Sequence, residues 1–223
     1  FSNALTEPTI VHWHGLDMPA AMDGHPHSAI DPQHEFVYEF EVTNRAGTYW
    51  YHPHPHNRTG PQVYHGLAGL VLIEDDEERA LNLPGGSEEL ACVLQDRRFD
   101  TGNQLTYLSG GMMEQMHGFL GDRVLVNGHE RPSWALATRA YRLRVLNGSN
   151  ARIYKLAWSD GTPLTVIGTD GGLLQQPAQQ RYLTLAPGQR ADVILDLTQR
   201  ALGTTFELRS APYPSALVGA MEM

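Results

Sequence analysis

The stretch YWYHPHPHNRTG, residues 49–60, places His52, His54 and His56 at every second position with Pro53 and Pro55 between them. Alternate side chains of a strand share one face, so this period aims imidazoles at a common point. Proline fixes φ at about −65° and donates no ladder hydrogen bond, so Pro53 and Pro55 mark a strand end or edge held stiff. A stiff β carrier of aligned imidazoles suggests a metal. Read alone, the stretch also fits an exposed, hydrogen-bonded histidine cluster.

A second pair decides between these readings. In TIVHWHGLDMPAAMDG, residues 9–24, His12 and His14 share one strand face, Trp13 points the other way, and Gly15 lets the backbone turn off. Both pairs lie in apolar strand sequence, where imidazoles without partners would be costly. His12, His14, His52 and His54 together form two rigid blades, and neutral imidazoles suit copper, zinc, iron or nickel rather than calcium or magnesium. All eleven histidines lie between His12 and His129, nine of them before residue 66, which assigns the chemistry to the first third of the chain.

The rest of the sequence reads as short strands. FVYEFEV, residues 36–42, alternates Phe36, Tyr38, Phe40 and Val42 with Glu39 and Glu41, the period of a half-buried strand. TYWYH and GLAGLVLIED follow, the second apolar enough to be buried on both faces. EDDEERALNLPGGSEE, residues 74–89, then looks like a solvated connection. Beyond it, ELACVLQDRRF, DRVLVNG, AYRLRVLNGS, PLTVIGTDG, RYLTLAPGQRADVILDL and TTFELRSA are strand candidates separated by Asn-Gly, Asp-Gly and Pro-Gly turns. Tyr141, Leu143 and Val145 alternate with Arg142 and Arg144, the pattern of a sandwich or barrel strand. The expected fold is all-β: two tandem Greek-key β-sandwiches at residues 1–75 and 90–223, a linker at 76–89, and a first sandwich without its opening strands.

Composition narrows the function. A length of 223 residues allows one large or two ordinary domains, and the net charge of −9 speaks against nucleic acid as a partner. No apolar run approaches the roughly 18 residues of a membrane span, and the first residues lack the basic and apolar regions of a signal peptide. The single cysteine, Cys92, lies in a buried-strand pattern with no histidine nearby and reads as a core residue. Met112, Met113 and Met116, beside His117, raise the question of a soft Cu(I) site, but their expected role is packing.

The combination HWHGL…DG with WYHPHPHNRTGPQVYHGLAGLVLIED resembles the first cupredoxin domain of multicopper oxidases, in the bacterial laccase and cuprous oxidase branch. GDRVLVNG, YRLRVLNGSNARIYKLA, VIGTDGGLL and LAPGQRADVILDL resemble the second domain, so the likeness covers nearly the whole chain. It implies an oxidoreductase that couples one-electron oxidation of phenols, aromatic amines or Cu(I) to reduction of dioxygen to water. His12 would bind the type 2 copper, and His14, His52 and His54 the type 3 pair, with His56 a neighbour. Asp23, in AMDG, matches an acidic residue that relays protons, although an Asp-Gly turn would also account for it. His25, His27, His34, His65, His117 and His129 are expected in solvated positions.

The family's type 1 copper needs a His-Cys-His motif of a third domain, and nothing here matches it. The expectation is a chain carrying half the trinuclear ligands, completed by a third domain or a second chain, in the periplasm or outside the cell. The alternative is a non-catalytic cupredoxin-type copper-binding or structural protein. A cupin is disfavoured because Glu35, the first glutamate after His14, is too distant. A two-domain nitrite reductase is disfavoured because its first domain would carry the type 1 cysteine.

Overall fold

In the first third of the chain, period-two patterning is spent on one small antiparallel sheet, ordered β1 (Val11–His14), β2 (Gly47–Pro53), β3 (Gly69–Ile73). The computed structural model describes residues 1–213; the SALVGAMEM stretch, where a third domain is expected to follow, lies outside them. The β2–β3 ladder stops at the Tyr51–Gly69 pair, so Pro53, with no N–H to offer, closes β2 just past that ladder. Strand β3 departs from expectation. It is half-buried, with Leu72 exposed, because one of its faces is uncovered among the described residues.

Residues 36–42 also depart from expectation. Phe36, Tyr38 and Phe40 are half-buried and Val37, Glu39 and Val42 exposed, but the segment forms no strand among the described residues. It is attached through its first residue and its aromatic rings. The Phe1 amino group donates to Phe36 O at 2.9 Å, and the Phe36 N–H returns to Phe1 O at 2.8 Å. The Tyr38 hydroxyl accepts from Val11 N–H and donates to Val11 O, both at 2.9 Å. Trp13 meets Tyr38 and Phe40 edge-on at 5.5 and 5.6 Å, so these aromatic residues cover the outer face of β1.

The second unit is a sandwich. Its strands are β4 (Glu89–Arg97), β5 (Arg123–Val126), β6 (His129–Glu130), β7 (Ala140–Asn147), β8 (Tyr154–Trp158), β9 (Leu164–Thr169), β10 (Gly172–Gln180), β11 (Leu183–Leu185), β12 (Arg190–Asp196) and β13 (Leu208–Ser210). Seven form one sheet in the order β10-β9-β12-β7-β4-β5-β6, antiparallel except for the β4–β7 pair, and three form the other, β11-β8-β13. Between them lies the core: Cys92, Leu94, Tyr141, Leu143, Val145, Tyr154, Leu156 and Val193 among others.

The opposite face of the large sheet is also buried, which the alternation of β7 did not reveal. Arg142 and Arg144 are each 2 % exposed and face the first unit. Asp192 accepts from Arg142 Nη2 at 2.6 Å, Arg144 Nη1 at 3.2 Å and Thr48 Oγ1 at 2.5 Å. Glu78 also pairs with Arg142 and, at 3.4 Å, with Arg144, while Glu89 Oε2 accepts from Arg144 Nη2 at 3.0 Å. Glu78 belongs to a short helix, α1 (Asp76–Ala80), whose N-cap Asp75 accepts from Glu78 N–H at 2.7 Å. The acidic stretch is therefore not solvated throughout, because Glu78 is folded in as a counter-ion.

Candidate metal centre

Register builds the centre. Residues directly opposite on an antiparallel pair share a face, and β1 and β2 pair His12 with His52 and His14 with Trp50. Period two then carries His54 onto the same face, beyond His52. The four imidazoles interleave: His12 lies 5.1 Å from His52, 5.2 Å from His54 and 5.7 Å from His14, centroid to centroid, and His14 lies 5.4 Å from His52. Ligand nitrogens of His12, His14 and His52 all fall within 4.8 Å of one another. His54 adjoins this trio through its ring, and its Nδ1 is buried with no hydrogen-bond partner.

Neighbouring groups set which nitrogen of each ring is free. His52 Nδ1–H donates to Pro53 O at 2.9 Å, which leaves Nε2 as the lone pair, 3.2 Å from His14 Nδ1. His12 Nδ1–H donates to Asp23 O at 2.8 Å, with the Asp23 carboxylate at 3.1 Å, and so presents Nε2. Burial pushes His14 and His52 down to about 4. The Arg190 charge adds to the effect at His14, and the neighbouring imidazoles add to it at both. Both rings are therefore neutral near pH 7, the form that binds metal.

Asp23 reaches His12 because its turn comes unusually close to β1. Gly24 has φ +74°, and a Cβ there would run into the Val11 carbonyl. Asp23 also lies 3.6 Å from His25 Nε2, and the His25 and His27 rings stack at 5.6 Å outside the cluster, exposed. His34, His56, His65, His117 and His129 are exposed as well. Cys92 is buried in the sandwich core, where desolvation pushes its thiol up to about 11, so it is no ligand of this centre. Met112, Met113 and Met116 correct the packing expectation. They are 74, 57 and 70 % exposed on α2 (Met112–His117), whose Glu114 turns inward to Arg98.

Two residues of the centre escaped the sequence reading. Trp50 lies against His52 at 4.3 Å and His14 at 5.0 Å, both interplanar angles 35°. Its place two positions before His52 put it on the histidine face by period alone. Arg190 comes from the second unit, and nothing local in sequence connects it to the histidines.

A β-sandwich protein with a cluster of histidines able to hold a metal on an adjoining sheet is the class these features define. Residues 1–78 match one multicopper oxidase domain of the family's profiles and residues 99–211 another. The chain belongs to the multicopper oxidase family. It is 39 % identical over 197 residues to multicopper oxidase mco of Staphylococcus aureus, covering 88 % of this chain and 43 % of that protein. It is 37 % identical over 200 residues to cell division protein FtsP of Escherichia coli, covering 89 % and 42 %. The crystal structure of McoA multicopper oxidase from Aquifex aeolicus superposes with a TM-score of 0.87 at 40 % identity, covering 93 % of this chain and 46 % of that one. The chain thus spans less than half the length of these relatives, and its fold is the cupredoxin-like all-β arrangement expected.

Three observations fit copper as the family's metal. The donor set is imidazole alone, two of the rings are held neutral, and the buried Nδ1 of His54 lacks a protein partner.

Proposed function

We propose that this chain supplies half of the ligands of a trinuclear copper centre in a laccase-like multicopper oxidase. The observation that carries this reading is the convergence of His12, His14 and His52 within 4.8 Å, with His54 beside them. In this reading His12 serves the type 2 copper and His14, His52 and His54 the type 3 pair. The remaining ligands and the type 1 site belong to polypeptide beyond these residues. Copper bound there supplies the one-electron steps by which dioxygen is reduced to water.

The chain's own residues orient and exclude. Asp23 and the Pro53 carbonyl fix the tautomers of His12 and His52, so that each presents Nε2. Trp50 shields the His14 and His52 rings from water on one side. The Asp23 carboxylate, 3.1 Å from His12 Nδ1, is the group placed to hold and pass protons toward oxygen under reduction. The reductant is a phenol, an aromatic amine or Cu(I), and the compartment is the periplasm or the exterior.

The test uses the full-length protein with an oxygen electrode and a phenolic donor. Oxygen uptake should disappear in a His52→Ala, His54→Ala variant that keeps its circular dichroism spectrum; retained uptake overturns the assignment. The likeness to FtsP, close to that to mco, supports a second reading: a copper-binding or structural protein without turnover. Stoichiometric copper binding by the full-length protein with no uptake for any of the three donors selects it.

A further inference from the structure

The LAPGQRAD motif of the second unit lies far from the histidines in sequence, yet its turn rests on their rings. We infer that the 186–190 turn is the backstop of the histidine blades and that Arg190 is the positioning residue that holds it there. This inference rests on reading His12, His14 and His52 as metal ligands only for its copper readout.

Arg190 is 3 % exposed and spends its fork on two objects at once. Its Nε–H donates to the Thr48 carbonyl on β2 at 3.0 Å, two residues before Trp50 and four before His52. Its Nη1 donates to Gly188 O at 3.1 Å and pairs with Asp170 Oδ1 at 2.9 Å, while Nη2 donates to Asp170 O at 2.9 Å. One guanidinium thus ties the histidine-bearing strand to the second unit's turn. Lysine, with a point charge on a flexible stem, cannot reproduce this bridge.

The turn in question touches the rings. A Cβ on Gly188, at φ +80°, would stand 3.3 Å from Trp50 Cζ2 and 3.7 Å from His14 Cε1, so bare glycine backbone lies against both. Trp50 in turn faces His14 and His52. Its indole N–H is buried without a partner. A donor left unmet in this way persists where the surroundings over-determine the ring's place. On the other side, a Cβ on Gly15 would stand 3.0 Å from Arg190 Nη2, so the bend after His14 is shaped around the same guanidinium.

The experiment compares full-length wild type, Arg190→Met, Arg190→Lys and Gly188→Ala. Imidazole and indole signals of the metal-free proteins are read by ¹⁵N NMR, then Cu(II) affinity by competition and the copper spectrum by electron paramagnetic resonance. Arg190→Met and Arg190→Lys should both shift the His14, His52 and Trp50 signals, leave His34 and His129 in place, and weaken copper binding about tenfold. Gly188→Ala keeps the guanidinium bridge and should move the Trp50 and His14 signals by crowding them, which tests the backstop if the arginine variants fail to fold. A merely structural arginine would lower the unfolding temperature while these ring signals stayed put, and that result overturns the inference. If the ring signals shift but the wild type binds no copper, the backstop stands and the metal reading fails.

Discussion

At the scale of single residues, close approach and burial shape the centre. Gly24 and Gly128 share nearly the same φ, +74° and +79°, but a Cβ at Gly24 meets the Val11 backbone whereas at Gly128 it meets nothing within 4 Å. Gly128→Ala should therefore cost about 1 kcal/mol for its conformation alone, and Gly24→Ala clearly more. Urea unfolding of the two variants checks the difference; equal costs would mean that the Asp23 turn can lift off β1 freely. Burial argues a second outcome. His14 and His52 titrate at about 4 in the fold against 6.5 when free, so between those values the unfolded chain takes up protons that the folded centre refuses. Stability of the metal-free protein should be full above pH 6.5 and decline as pH falls toward about 4. Replacing His52 by Asn should make that decline shallower, and unfolding curves parallel to wild type across the window would refute the buried-imidazole account. The histidines themselves were legible because their period of two needs no tertiary information. The tautomers were not, because Pro53 O and Asp23 O become partners only once the chain has turned.

At the scale of elements, alternation was legible and what lay against each face was not. Strand β7 alternates as read, and its odd residues enter the core, but the face of Arg142 and Arg144 meets the first unit instead of water. A two-faced pattern reports polarity, and a buried ion-paired face carries the same letters as a solvated one. Residues 36–42 show the converse. Their aromatic period survives, although the segment is held by Tyr38 and Phe40 against Trp13 rather than by a ladder. Helix α2 is a third case, since methionine was read as a gap filler and Glu114 turned out to be the inward anchor, bonded to Arg98 at 2.5 Å and to Gly110 N–H at 2.8 Å. Three thioethers left in solvent should oxidise first. Under dilute peroxide, peptide mass spectrometry should find sulfoxide at Met112, Met113 and Met116 before Met18 and Met22, which are half-buried. Uniform oxidation of all five would contradict the exposed placement of α2.

At the scale of the whole molecule, the two units are joined by charge. Three carboxylates, those of Glu78, Glu89 and Asp192, surround two guanidiniums, Arg142 and Arg144, and Asp192 extends the network to the Thr48 hydroxyl on the histidine-bearing strand. Desolvating these ions is expensive, so the network's net contribution is small, yet the loss of one partner leaves an uncompensated charge in the interior. Arg142→Met should therefore destabilise the protein by roughly 3–5 kcal/mol, the range for a broken buried pair. The cost is electrostatic only if it shrinks when the surplus negative charge is removed too. Adding Glu78→Gln to Arg142→Met takes away one of three carboxylates left around the single Arg144 guanidinium, which Glu78 meets only at 3.4 Å, so the double variant should be more stable than Arg142→Met alone. Urea unfolding of the single and double variants measures that coupling. A double variant that loses the sum of the two single costs would mean that Arg142 matters for the space it fills, and the join between the units would then be one of shape rather than charge.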